Sequence, residues 1–367
     1  MNNNIVYTEN YDDGYYHFGK DLESYPDAWC YVVWSKRGAG KTYSGLWYAY
    51  GHDIKVIYAK RTVEDVNLIA SGGDKGENLS PYKPLNRDKN MYIIPDKIQD
   101  GLCGFYEGNV EDDSKVGEPI ALCMALNKIK TIKGFDASEY DWLLIDEFIP
   151  QIGERTSAGM REGDLLLDLY MTVARDRVKR GRKELKLILF ANAEEISTPI
   201  TNTLEIIDDM SEMNETGESI RYLEQRGIVL HHITEDEVPT SETEYKSGIY
   251  RAMYDTAWGR KAFFGDFTNN DFSNVNRVSL KNMRCLLSVI YKGKEFFIYY
   301  NNSGMHYMTD SKQKAPIVFD LSKENDQKKF YDMWWFYLRE QCINGRLQFK
   351  KYSMYDLLVN YKKYFKV

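Results

Sequence analysis

Trp34-Ser35-Lys36-Arg37-Gly38-Ala39-Gly40-Lys41-Thr42 decides how this chain is read. The stretch follows an apolar run, Trp29-Cys30-Tyr31-Val32-Val33-Trp34, and precedes a helix-compatible segment, Tyr43-Ser44-Gly45-Leu46-Trp47-Tyr48-Ala49-Tyr50. Strand, glycine-rich turn and helix in that order are the context a phosphate-binding loop requires. Gly38 and Gly40 let the backbone fold tightly, so that successive N–H groups and the helix N-terminus face an anion. Lys41 then reaches the β- and γ-phosphates of ATP, and the Thr42 hydroxyl ligates Mg²⁺. Ser35 stands where the first glycine of the G-x-x-x-x-G-K-[ST] pattern normally sits, and serine tolerates most turn geometries. Ser35, Lys36, Arg37, Gly38, Ala39, Gly40, Lys41 and Thr42 together form the candidate nucleotide-binding segment. The competing reading is a chance glycine turn; a second motif at a sensible distance weighs against it.

That second motif is Tyr140-Asp141-Trp142-Leu143-Leu144-Ile145-Asp146-Glu147-Phe148, an apolar run ending in two acids. A buried strand of this kind carries its carboxylates to the C-terminal edge of an open α/β sheet, where ligands bind. Asp146 is the candidate Mg²⁺ residue, directly or through water, and Glu147 the candidate acceptor for the attacking water's proton. Leu185–Ala193 reads as a further buried strand with Asn192 at its end. Asn192 either reaches the γ-phosphate or bonds a nearby turn; its position alone does not separate the two.

At 367 residues, two domains are the natural expectation. Hydrophobic residues at 43% and charged residues at 28% describe a soluble globular chain. Five scattered cysteines form no C-x-x-C or Cys/His cluster, so neither a zinc site nor a disulfide framework is suggested. The N-terminus is polar and no apolar run approaches the length of a bilayer span, so no membrane partner is expected and a cytosolic location is expected. A formal net charge of −7 argues weakly against nucleic acid, but its distribution is uneven: 175–186 and 350–366 are basic, while 111–113 and 206–218 are acidic.

Along the chain, Ile54–Ala59 reads as a second buried strand, and 71–90 as a surface insertion. Met91–Ile94, Leu102–Tyr106 and Ile120–Leu126 look like a hairpin-rich excursion. Asp164–Val178 has the spacing of a helix, with Gly181 as a stop signal. Gly227–Ile233 suits another strand; its adjacent His231 and His232 would face opposite ways, which speaks against a metal pair. Thr234 to Asn276 is polar and turn-rich, a linker or small connecting domain. From Val278 the texture changes to strands at Met283–Val289, Glu295–Tyr300 and Met305–Met308 with good hairpin turns, followed by helical segments at 328–342 and 354–365. The expected division is 1–205, 206–276 and 277–367, with an α+β domain last.

These motifs resemble the DNA-packaging ATPase, a terminase-type motor, of Picovirinae-type phages with protein-capped linear genomes. The strongest points are Ser35–Thr42, Ile145-Asp146-Glu147-Phe148-Ile149, Thr172-Val173-Ala174-Arg175-Asp176-Arg177 and Ala191-Asn192-Ala193, with a weaker echo in Ser288-Val289-Ile290-Tyr291-Lys292-Gly293. The resemblance implies an ASCE-type (additional-strand) P-loop ATPase domain joined to a C-terminal domain of ribonuclease-H-like ancestry. It further implies a homo-oligomeric ring, a pentamer, on the procapsid portal, pumping double-stranded DNA with ATP and Mg²⁺. A structural packaging RNA is a known partner in one branch of the family. Arg175 matches the arginine finger that completes a neighbouring subunit's site, with Arg177 as the alternate. Two residues on a helix differ by about 200°, so both cannot face one site unless the helix has ended.

A two-metal nuclease needs several carboxylates converging on ions about 4 Å apart. The C-terminal strands carry Ser288, Glu295, Tyr299 and Tyr300 instead, so no nuclease activity is expected. Lys128, Lys130 and Lys133, before the second motif, are candidate contacts to DNA phosphates, with solvated lysines as the alternative. The rival functions are a non-packaging P-loop ATPase such as a helicase, and a nucleotide-switched DNA-binding scaffold with negligible turnover.

Overall fold

A computed structural model describes residues 7–8, 10–11, 13–71, 79–112, 114–126, 128, 137–150 and 159–367. The chain divides into two compact units. The first is Met1–Leu204 with Met213–Thr268, and the second is Glu205–Glu212 with Asn269–Val367.

The first unit is built on one sheet whose strands are, in chain order, β1 (Cys30–Ser35), β2 (Val56–Lys60), β3 (Ile93–Gln99), β4 (Leu102–Gly108), β5 (Lys115–Ala125), β6 (Trp142–Asp146), β7 (Lys186–Asn192), β8 (Ile220–Leu223) and β9 (Ile228–His232). In space they run β3-β4-β5-β2-β6-β7-β1-β9-β8. The middle, β5-β2-β6-β7-β1-β9, is parallel throughout, and antiparallel partners close each side. Parallel strands are covered on both faces, which is why β1, β6 and β7 read as unbroken apolar runs rather than alternating ones. Two strands, β6 and β7, separate β1 from β2, and β7 lies between β1 and β6.

Helices α1 (Phe18–Ser24), α2 (Lys41–Gly51), α3 (Val63–Ile69), α4 (Lys83–Lys89) and α5 (Glu162–Ala174) belong to this unit. Helix α2 lies close to the sheet because Gly45 faces it: a Cβ there would stand 3.0 Å from the Phe190 ring. Phe18 fixes α1 by packing edge-on against Tyr31, Trp142 and Phe190, with ring centroids 5.4–5.6 Å apart. A capping box between Thr62 and Asp65 starts α3.

Helix α5 stops at Ala174, earlier than the sequence spacing suggests. Arg175 is extended, at φ −51° and ψ 123°, and Asp176 takes φ 59°. Gly181 ends the short turn Val178–Arg180 that follows, not the helix. Arg175 and Arg177 therefore sit beyond the helix and go separate ways. Arg177 is 1% exposed; it donates to the carbonyls of Ser138 and Tyr140 and pairs with Asp141. This excludes the alternate finger, because the guanidinium is consumed in tying the end of α5 to the start of β6.

The expected connecting segment 206–276 is shared between the two units: 213–268 falls in the first, where strands β8 and β9 extend the main sheet by pairing β9 with β1, and 206–212 with 269–276 falls in the second. Polar, turn-rich composition suggested a linker; the pairing that captures it is long-range and leaves no local trace. His231 and His232 do face opposite ways. His231 lies between Asp21, 2.8 Å away, and Glu237, at 2.7 Å, whereas His232 stacks on Trp34.

The second unit carries a five-stranded sheet of β10 (Arg284–Tyr291), β11 (Lys294–Tyr300), β12 (His306–Thr309), β13 (Val318–Asp320) and β14 (Leu347–Phe349), ordered β13-β10-β11-β12-β14. The β10–β11 turn has φ > 0 at both Lys292 and Gly293, the geometry that matches strand twist. Its core includes Leu287, Ile298, Phe319, Phe330, Leu338 and Phe349. The expected C-terminal helix is present as Tyr352–Val359 and Tyr361–Tyr364, with Met354, Leu357, Leu358 and Tyr361 inward. Strands β13 and β14, three residues each, are too short to be read from pattern.

Burial pulls the His231 pKa down, but hydrogen bonds to Asp21 and Glu237 outweigh it and raise it to about 9. A raised folded value means the stabilisation is complete below the unfolded value of about 6.5 and is lost as pH rises through about 9. His231→Gln is expected to cost about 2–3 kcal/mol below pH 6.5 and to flatten the stability profile between there and pH 9. Urea midpoints taken across that range check this; an unchanged slope contradicts it.

Candidate functional site

The parallel registers align the C-terminal ends of three neighbouring strands. Ser35 of β1 pairs with Asn192 of β7, and Asp146 of β6 with Phe190. After β1 the chain turns through Gly38 (φ 78°) and Gly40 (φ 90°) and enters α2 at Lys41. These values lie in the left-handed region that side chains rarely adopt, so both glycines are needed for the turn. Gly40 caps α2 with no side-chain bond to its first turn, leaving those N–H groups to other partners. The turn is tied back by Tyr16, whose N–H donates to the Ala39 carbonyl at 3.0 Å.

Lys41 is buried at the centre. Its Nζ donates to Ser35 Oγ at 2.5 Å, and lies 3.3 Å from the Lys36 carbonyl and 3.4 Å from Asn192 Oδ1. Burial lowers its pKa to about 8, against the pull of the Asp146 and Glu147 charges. Ser35, fully buried, gives its own proton to the Lys36 carbonyl at 2.6 Å. The residue in the first glycine's place thus supplies an oxygen to the lysine.

Thr42 Oγ1 donates to Asp146 Oδ2 at 2.7 Å, and the Tyr58 hydroxyl donates to the same oxygen at 3.2 Å. Burial and the Asp146 charge push the Tyr58 phenol well above its ordinary pKa, so it remains a donor. Glu147 takes φ 56°, a left-handed conformation uncommon outside glycine. Its N–H donates to Asp146 Oδ1 at 3.0 Å and its carbonyl accepts from Arg61 Nη2 at 2.6 Å. Arg61 is in turn held by buried Glu162, 2.8 Å from its Nε. This bracing holds the strained residue in place and leaves the Glu147 side chain exposed.

Among the described residues, no group of three or more His, Cys, Asp or Glu could hold a metal by itself. The Thr42 hydroxyl and Asp146 carboxylate are a hard-oxygen pair converging on one point, and that suits Mg²⁺, which keeps several waters and takes one or two protein oxygens.

Of the other expected residues, two of those described lie elsewhere. Arg175 is 81% exposed, with Asp176 3.8 Å from its Nε. Helix α5 begins at Glu162, beside Arg61 and Glu147, and its 13 residues span about 20 Å, which carries Arg175 to the opposite edge of the sheet. It cannot serve its own chain's site. Lys128 pairs with Asp100 at 3.1 Å. Lys130 and Lys133 lie outside the described residues.

The sequence did not single out the polar groups that brace the loop. Lys36 Nζ donates to Glu235 Oε2 at 3.1 Å and Thr240 Oγ1 at 3.0 Å. Glu194, two residues past Asn192, is buried between Lys261 at 2.9 Å and Arg37 at 3.9 Å. Gly265 lies against the loop itself: a Cβ there would be 2.6 Å from Lys36 N.

A lysine whose pKa is lowered on folding works against the fold below that value, and the cost is relieved as pH rises from about 8 towards 10.5. Lys41→Met is therefore expected to stabilise the protein at pH 7, by about 1–3 kcal/mol. Denaturant melts of both proteins check this, and a destabilised Lys41→Met protein contradicts it.

No family model matches the chain, and no curated protein sequence matches it. Among solved structures, the Phi-28 gp11 DNA packaging motor superposes with a TM-score of 0.61 at 14% identity, over 97% of this chain and 99% of that one. The bacteriophage Phi-29 viral genome packaging motor assembly gives 0.56 at 16% identity, over 95% and 99%. At such identities the likeness is one of fold: the chain is built, over nearly its whole length, as the packaging-motor chains of phi29-like phages are.

Proposed function

We propose that the chain is a viral DNA-packaging ATPase: a ring of identical subunits on a procapsid portal that hydrolyses ATP to drive double-stranded DNA inward. One observation carries this reading. Buried Lys41, the Thr42–Asp146 pair and Glu147 meet at the ends of adjacent parallel strands, in a chain that shares its fold with packaging motors. On this reading Ser35–Thr42 is a phosphate-binding loop, and β7, inserted between β1 and β6, is the additional strand of the ASCE class. The second unit suits a ribonuclease-H-like ancestry in part. Strands β12-β11-β10 are antiparallel and β13 runs parallel to β10, but β14 pairs with β12 at the other edge. Strand β10 presents Ser288, bonded to Glu295, and the unit is proposed to cut no DNA.

Each residue then has a defined task. The uncapped first turn of α2 and Lys41 bind the β- and γ-phosphates, with Asn192 beside the ammonium to register the γ-phosphate. Thr42 and Asp146 hold Mg²⁺, which when bound neutralises charge on the phosphate oxygens. Exposed Glu147 takes the proton of the attacking water. Arg175, on the far edge of its own sheet, completes the site of the next subunit in a pentameric ring. A guanidinium supplied in this way is typically worth roughly 10³–10⁵ in rate. Duplex contacts go to phosphates, since a motor passes any sequence. A structural packaging RNA is proposed as a further partner of the ring, as in one branch of the family it resembles.

Three variants test the assignment in hydrolysis and packaging assays with procapsids and duplex DNA. Lys41→Ala is expected to abolish nucleotide binding. Glu147→Gln should retain ATP and slow turnover by roughly 10²–10⁴. Mixing Arg175→Ala with wild-type chains should give a steep, non-linear fall in activity, and a linear dilution rules out action in trans. Stimulation by single strands alone would favour a helicase.

A further inference from the structure

The chain ahead of β1 lies on the candidate phosphate loop. A Cβ on Gly40 would stand 3.4 Å from the Tyr15 side chain, and the Tyr16 N–H donates to the Ala39 carbonyl at 3.0 Å. Two residues on, the Phe18 N–H donates to Ser44 Oγ of α2 at 2.6 Å. Residues 15–18 therefore tie the loop to the start of α2, and a buried cluster ties those residues to the sheet. Asp21 of α1 accepts from the Tyr16 hydroxyl at 2.6 Å and, at the same Oδ2, from His231 Nδ1 at 2.8 Å. The other ring nitrogen of His231, on β9, meets Glu237 Oε2 at 2.7 Å. Only imidazolium carries an N–H on both nitrogens, so a ring with a carboxylate at each of them is held protonated. A continuous path results: Glu237 and Asp21 grip His231, Asp21 holds Tyr16, and Tyr16 holds Ala39.

Building on the nucleotide reading, we infer that His231 is a positioning residue for the phosphate loop, acting through Asp21 and Tyr16 to pin the Ala39 carbonyl. Ala39 lies between Gly38 and Gly40, both in left-handed backbone, and a glycine on each side gives the loop more freedom than other residues allow. A loop that spends only part of its time in the receiving shape binds more weakly by that fraction. The pin removes this loss before any nucleotide arrives. It acts on affinity rather than on the bond-breaking step, because Lys41, Thr42, Asp146 and Glu147 lie outside the cluster. Facing His231 are Asp21 from α1, Glu237 after β9, Tyr16 ahead of α1 and His232 beside it on its own strand, with Tyr31 of β1 near Asp21. Burial pushes both phenols up and holds His232 below its ordinary value. Of these rings His231 alone, at about 9, changes charge between neutral and alkaline pH. Losing that proton removes one of its two N–H groups, and the path to Tyr16 loosens.

Titration of the full chain with a fluorescent non-hydrolysable ATP analogue from about pH 6 to pH 10 tests this, together with KM and kcat for ATP on procapsids with duplex DNA. At pH 7, His231→Gln should weaken analogue binding and raise KM about tenfold, with kcat within about threefold of wild type. Both proteins keep Lys41, so the ratio of their affinities isolates His231; it should fall from about ten at pH 7 to about one at pH 10. Tyr16→Phe should weaken binding about threefold and add nothing to His231→Gln in the double variant. Glu237→Gln loosens the proton on His231 and carries the test if His231→Gln fails to fold. Its loss of affinity should peak near about pH 8 and shrink towards pH 6 and pH 10. An affinity ratio that does not change with pH, a Glu237→Gln loss that is flat with pH, or a fall in kcat with KM unchanged overturns the inference and leaves the nucleotide site standing. Failure of the wild type to bind the analogue at all overturns the nucleotide reading as well.

Discussion

A single ammonium group, removed from water at the ends of three parallel strands, constrains the rest of the first unit. Among the described residues, Lys41 reaches neutral oxygens directly, those of Ser35, Lys36 and Asn192, while the carboxylates of Asp146 and Glu147 act on it from further off. Burying a charge costs several kcal/mol unless its surroundings are arranged for it. The arrangement here is set by strand order. With β7 between β1 and β6, the parallel registers bring Asn192 to one side of the loop strand's end and Asp146 one strand beyond. At a strand spacing of about 4.8 Å this puts Asn192 one spacing from the end of the loop strand and Asp146 two.

Around that centre lies a second layer of polar contacts whose value is geometric rather than stabilising. Arg61 links buried Glu162 to the Glu147 carbonyl and so fixes a residue in left-handed backbone. Lys36 is clamped by Glu235 and Thr240, and Glu194 stands between Lys261 and Arg37. Buried ion pairs of this sort are often no better for stability than apolar packing. Their presence on every side of one loop makes sense if the loop must hold one shape without its ligand and respond when the ligand arrives.

Much of this was legible in the residues. The β1–loop–α2 unit, the apolar run ending at Asp146-Glu147 and the strand ending at Asn192 all carry their information locally, in apolar runs and glycine positions. The β10–β11–β12 meander was equally plain, because hairpin turns announce themselves. What stayed hidden depends on long-range pairing. Nothing local in Glu235, Lys261 or Gly265 reveals that a polar, turn-rich stretch folds back onto the loop, so 234–276 read as a linker. Helix α5 reads four residues too long in the sequence because no glycine or proline interrupts it before Gly181, whereas the backbone leaves the helix at Arg175. That early stop is what sends Arg177 into the core and leaves Arg175 in solvent.

The central claim is that the buried lysine and the two strand-end acids form a site where ATP is split to move duplex DNA. Its most direct test is to count phosphate released against duplex length taken up by procapsids carrying the purified chain, with Mg²⁺ present. The account predicts that phosphate release requires duplex and scales in fixed proportion to the DNA packaged. Absence of ATP turnover in every assembly state, or turnover that continues unchanged without duplex, would contradict it.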